Sequence, residues 1–76
     1  MQVHLILHGI LRDYLPRQAK GKTTLTLPEG TIIADVVKQL KIRQNVSAAV
    51  GGVQVENSYV LREGDELQMF RPIGGG

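Results

Sequence analysis

The sequence has no cysteine. That excludes disulfide staples, cysteine-ligated zinc and thiol catalysis on this chain. It has no tryptophan, and its aromatics are Tyr14, Tyr59 and Phe70. Three rings are thin material for base stacking, and no run of Lys or Arg occurs, so nucleic acid is not the expected partner. Charge of neither sign dominates: nine basic residues stand against seven acidic ones, for a net +2. The longest apolar runs fall far below the ~20 residues of a membrane span. The opening Met1-Gln2-Val3-His4 lacks the basic and apolar segments of a secretion signal. Together with the missing cysteines this makes the cytoplasm the expected compartment. No repeat or low-complexity segment precedes the final glycines.

What is present is enough for one domain. The 76 residues are 42% hydrophobic, which argues for a packed core rather than disorder. A chain this short buries only ~60–65% of its unfolded surface, so its stability is modest. Gln2 to His8 alternates, with Val3, Leu5 and Leu7 on one face and His4, Ile6 and His8 on the other, the period-2 signature of a strand. Residues 10–16 read as a loop with a turn of helix, and 16–22 as a polar, exposed stretch. Lys22 to Leu27 alternates again, Leu25 and Leu27 inward. After the turn Pro28-Glu29-Gly30 the period changes. Ile33, Val36, Val37 and Leu40 form one stripe of an amphipathic helix reaching about Lys41, with Thr31 as expected N-cap and Asp35 near the positive end of its dipole.

Asn45–Val50 and Val53–Val55 read as strands joined at Gly51-Gly52, whose glycines accept the positive φ of a two-residue hairpin turn. Glu66 to Arg71 is the last strand, Leu67 and Met69 inward. This pattern predicts an α+β fold: a mixed sheet of four or five strands with one helix on one face, and the first and last strands parallel and central. The expected core is Val3, Leu5, Leu7, Leu25, Ile33, Val36, Val37, Leu40, Leu67 and Met69. No second layer remains for the other face. Ile6 and Phe70 on it mark a docking surface.

The stretch Phe70-Arg71-Pro72-Ile73-Gly74-Gly75-Gly76 sets the functional question. Proline lacks an N–H and ends strand pairing, and glycine has no side-chain bulk and few backbone restrictions. Such a tail adds nothing to a core. It can thread a narrow channel and present a terminal carboxylate to another protein. The expected division is a domain over 1–73 and a flexible tail over 74–76.

The element order, the stretch Leu61-Arg62-Glu63-Gly64-Asp65-Glu66-Leu67 before the last strand, and the closing Gly75-Gly76 resemble the ubiquitin-like β-grasp sulfur carriers of the MoaD/ThiS family. Leu27-Pro28-Glu29-Gly30-Thr31 is similar to that family's second turn. Leu7-His8-Gly9-Ile10-Leu11-Arg12-Asp13 is closer to the MoaD-type first loop than to the ThiS one. The resemblance implies a protein co-substrate, at most a non-catalytic small subunit of a molybdopterin synthase-like complex, and not an enzyme. An E1-like enzyme would adenylate the Gly76 carboxylate with ATP, and a sulfur donor protein would convert it to a thiocarboxylate for molybdopterin, tungsten-cofactor or thiamine biosynthesis. Gly74 and Gly75 would give access to the partner's channel. Ile6, Phe70, Arg71, Pro72 and Ile73 would bind partners, among them a large synthase subunit of the molybdopterin or thiazole type. The free protein is expected to be a monomer with no bound cofactor or metal. The alternatives are a protein modifier joined to lysines through Gly76, and an interaction module with an inert tail. A carboxylate that needs no maturation suits both the carrier and the modifier.

Other chemistry is weakly supported. His4 and His8 lie four residues apart on one strand face, roughly 13 Å along it, too far to share one metal ion. Gly51-Gly52 is followed by neither the Lys-Ser/Thr nor the helix of a phosphate loop. Glu63, Asp65 and Glu66 lack a calcium-loop pattern and read as a solvated turn, and Ser47 and Ser58 lack a nucleophile-elbow context.

Overall fold

The computed structural model describes residues 1–72. The alternating start of the chain forms strand β1 (Gln2–Leu7), which pairs antiparallel with β2 (Lys22–Thr26), Val3 opposite Leu25 and Leu5 opposite Thr23. The segment between them is more ordered than a polar loop. Two short 3-10 helices, Gly9–Tyr14 and Arg17–Ala19, fold it back onto the domain, pinned by Leu11, which is fully buried.

Helix α1 spans Ile33–Gln39. Its N-cap is Ile32, in extended backbone, and not Thr31. The Thr31 hydroxyl instead donates to the Pro28 carbonyl at 2.7 Å, closing the preceding turn. Ile32 has no side-chain acceptor, so the first turn is satisfied by other means. The Ile32 N–H donates to Asp35 Oδ2 at 3.0 Å, one half of a capping box. The N–H groups of Ile33 and Ala34 donate to the carbonyls of Tyr59 and Asn57, at 3.2 and 3.0 Å. The helix stops two residues before Lys41 because Lys41 turns left-handed, with φ 59°. There the N–H of Lys41 reaches the Lys38 carbonyl and that of Ile42 the Val37 carbonyl, at 3.0 and 3.1 Å. This is the paired closure of a Schellman motif, completed by a lysine where glycine is usual. It turns Ile42 into the core.

Strands β3 (Ser47–Val50) and β4 (Val53–Val55) form the second hairpin, with Gly51 and Gly52 at φ 59° and 84° as its turn. Strand β5 (Glu66–Phe70) lies between the hairpins, parallel to β1 and antiparallel to β3. The sheet order is β2-β1-β5-β3-β4, so the first and last strands are central, parallel and adjacent as the sequence implied.

One face of the sheet and one stripe of α1 make the core. Val3, Leu5, Leu7, Leu67 and Met69 from the central strands and Ala48 from β3 pack with Ile33 and Val36. Leu11, Leu27, Ile42 and Leu61 close its edges. Leu25, Val37 and Leu40, expected in the centre, are half-buried at the margin. The interior was underestimated at Leu11, Ile42, Ala48 and Leu61, all placed by turns and tertiary pairing. The Glu63–Asp65 turn also proves to be a structural clamp rather than only a solvated turn. Glu63 Oε1 accepts from the Gln2 N–H at 2.9 Å, and Asp65 Oδ2 from the Arg62 N–H at 2.9 Å. Among the described residues no helix is long and apolar enough to cross a membrane.

Candidate functional site

Because β5 runs parallel to β1, both strands finish at the same end of the sheet. The chain leaving Phe70 therefore emerges beside the start of the first 3-10 helix. There His8, Gly9, Ile10, Phe70 and Arg71 line a shallow depression of about 270 Å³. Phe70 is half-buried opposite Ser47, and Arg71 and Pro72 are exposed. Ile6 lies on the same open sheet face, half-buried and paired with Gln68 on β5, two residues before Phe70. The structure thus brings Phe70 and Arg71 together at the root of the tail, with Ile6 further along the face and outside that depression. Ile73, Gly74, Gly75 and Gly76 lie outside the described residues.

Ile10 belongs to this surface although the sequence placed it in an undistinguished loop. Its side chain is 51% exposed, high for an isoleucine, beside Phe70 in the depression. A large apolar residue directly after the strand-ending Gly9 was the available signal.

Polar side chains order the rest of the face. The Gln68 amide nitrogen donates to Glu66 Oε1 at 3.2 Å. A carboxylate only accepts, so the amide oxygen faces His8, whose Nε2 lies 2.9 Å away and carries the proton. His4 Nδ1 is 3.3 Å from the Thr24 hydroxyl. Each histidine is therefore engaged with a different strand, which fits neighbouring surface groups rather than one metal site. The face thus mixes the apolar Ile6 and Phe70 with the polar His4, His8 and Gln68.

Known proteins resemble this chain in sequence or fold. The ThiS family model matches residues 14–76. A UPF0125 protein of Xylella fastidiosa (strain 9a5c) is 38% identical over 52 residues, a match covering 64% of this chain and 65% of that protein, so under two thirds of the relative's length is spanned. Among solved structures, a putative molybdopterin converting factor, subunit 1, from Pyrococcus furiosus superposes with a TM-score of 0.76 at 22% identity, covering 96% of this chain and 99% of the other. Small archaeal modifier protein 1 of H. volcanii superposes with a TM-score of 0.74 at 12% identity, covering 95% and 98%. At such identities the structural likeness speaks for the fold, a ubiquitin-like β-grasp. The family match extends from Tyr14, the last residue of the first 3-10 helix, through residue 76, and on that match the chain belongs to the ThiS family.

Proposed function

We propose that this protein carries sulfur as a thiocarboxylate on Gly76. The observation that carries the reading is a family match running through residue 76, on a chain whose last central strand ends at an open, partly apolar surface. A carboxylate is a poor electrophile. A carboxylate oxygen of Gly76 attacks the α-phosphorus of ATP in an E1-like partner, and pyrophosphate leaves. Hydrosulfide, or a donor protein's persulfide followed by reduction with a thiol, then attacks the acyl carbon and expels AMP. The thiocarboxylate sulfur is passed on to a cofactor precursor. All catalytic groups belong to the partners, so the protein is a co-substrate. Gly74 and Gly75 admit the tail to the partner's channel. Phe70 and Ile10 anchor the root beside Arg71, Ile6 adds contact further along the face, and Pro72 and Ile73 contribute to partner binding. A larger synthase subunit, as the name of the P. furiosus relative suggests, takes the same face after sulfur loading.

The test is ATP–pyrophosphate exchange by the cognate adenylating enzyme. Exchange should depend on the added chain and vanish when its C-terminal carboxylate is converted to the amide, while the thermal unfolding curve stays in place. Exchange that persists with the amidated chain would refute the tail carboxylate as the reacting group.

A further inference from the structure

We propose that the loop between β1 and β2 forms a second docking site, which receives an acidic, extended segment of a partner protein. The 3-10 helices over Gly9–Tyr14 and Arg17–Ala19 enclose an open groove of about 730 Å³, lined by Arg12, Arg17 and Lys20 together with Asp13, Leu15 and Pro16. It adjoins the tail-root depression, with Gly9 lining both, but its three cations lie outside that depression and no step of the tail chemistry uses them.

Charge is concentrated there. Residues 9–21 contain Arg12, Arg17 and Lys20 against Asp13 alone, a net +2, equal to that of the whole chain. The remaining residues therefore sum to zero, and the loop accounts for the protein's entire positive balance.

The groove is also held in shape. The Arg12 guanidinium donates to the Lys20 carbonyl at 3.3 Å, bridging the two 3-10 helices. The Lys20 N–H closes onto the Arg17 carbonyl at 3.1 Å, and Lys20 itself is left-handed, with φ 54°. Gly21 is buried behind it and accepts the Leu7 N–H at 2.7 Å. A cationic loop fixed in this way loses little freedom on binding, which favours association.

The lining selects the ligand. Arg12, Arg17 and Lys20 are all exposed. Exposed single charge pairs contribute little each, so a small anion gains too little in an open groove. A peptide with several carboxylates gains from all three cations at once, and the guanidiniums match carboxylates bidentately. Leu15 and Pro16 offer apolar contact for its backbone and side-chain stems. Among the described residues no aromatic ring lines the groove, which disfavours a nucleic-acid strand that would stack its bases.

The test uses fluorescein-labelled deca-glutamate, read by anisotropy at low salt with the full chain, without ATP or any enzyme. The double variant Arg17→Glu/Lys20→Glu keeps the Arg12 bridge. The control Lys38→Glu/Lys41→Glu makes the same change of net charge at the C-terminal end of α1, outside the groove lining, likewise with one left-handed lysine. The groove variant should bind roughly tenfold more weakly, the control clearly less so, and amide shifts on titration should cluster in residues 9–21. No binding by the parent chain, equal losses in both variants, shifts centred elsewhere, displacement by millimolar inorganic phosphate, or tighter binding of deca-thymidylate would each overturn the assignment.

Discussion

Gly21→Ala is the sharpest test of how the first loop is built. Gly21 is buried, with φ +79°. A Cβ there would sit 2.7 Å from the Leu7 carbonyl oxygen and 2.9 Å from Arg12 Cγ. Arg12 can swing away, giving up its bond to Lys20. The Leu7 carbonyl belongs to a central strand and cannot move alone, since the Leu7 N–H is tied to the Gly21 carbonyl at 2.7 Å. An L-residue in this backbone region costs about 1–2 kcal/mol, and the distorted hydrogen bond about 0.5–1.5 kcal/mol more. The sum is roughly 1.5–3.5 kcal/mol against a total stability of roughly 4–11 kcal/mol for a chain of this size. The melting temperature should fall by roughly 6–28 °C. Gly51→Ala isolates the steric part. Gly51 has φ +59°, but its Cβ would meet nothing within 4 Å, so only the backbone term of about 1–2 kcal/mol applies. The entropy that alanine removes from the unfolded chain is common to both variants and cancels in the comparison. Urea titrations of the two variants would decide. If Gly21→Ala costs no more than Gly51→Ala, the close approach of the loop to β1 is wrong.

Lys41→Gly should stabilise the domain by about 1 kcal/mol in a denaturant titration, because glycine removes the left-handed strain at the helix end. A loss of stability would show that the lysine stem contributes more than its backbone costs. Leu67→Ala, at a fully buried position of β5, should cost about 2–5 kcal/mol, and Leu40→Ala, half-buried at the helix end, roughly half as much; the reverse order would mean that the helix packs on a different face. Phe70→Ala should weaken the complex with the activating enzyme tenfold or more and destabilise the fold less than Leu67→Ala does. If it unfolds the domain instead, Phe70 is a core residue and not an anchor.

The fold was legible where the periodicity was long and regular. Val3, Leu5 and Leu7 on β1, Leu67 and Met69 on β5, and Ile33 with Val36 on α1 point where their spacing says they point. The hairpin at Gly51-Gly52 was equally plain, since two adjacent positive φ values have few other sequence solutions. What escaped was set by contacts between distant segments. Thr31 looked like the cap, yet Ile32 holds that place because Asp35, Asn57 and Tyr59 satisfy the first turn from outside. Ile42 is buried by a Schellman closure whose usual glycine is a lysine, so the sequence carried no stop signal at the right residue. Leu11 and Leu61 lie in segments too short to show a period. Leu61 is drawn in by its N–H bond to the Thr31 carbonyl at 2.9 Å. The site divides in the same way. Phe70 and Ile6 were readable from strand alternation, whereas Ile10 joins them only because β1 and β5 end together. Arg12, Arg17 and Lys20 converge through two 3-10 helices and a left-handed lysine, neither of which a polar stretch announces.

The central claim is the fate of the Gly76 carboxylate. The measurement is the intact mass of the protein isolated from its native cells with sulfur donors plentiful, paired with a blot of the same lysate on a denaturing gel. A sulfur carrier shows a fraction of chains in which one oxygen has been exchanged for sulfur, lost on treatment with an alkylating reagent that caps the thiocarboxylate, and a single low-mass band on the blot. A ladder of higher-mass conjugates with no sulfur-exchanged chain would contradict it and make the protein a modifier.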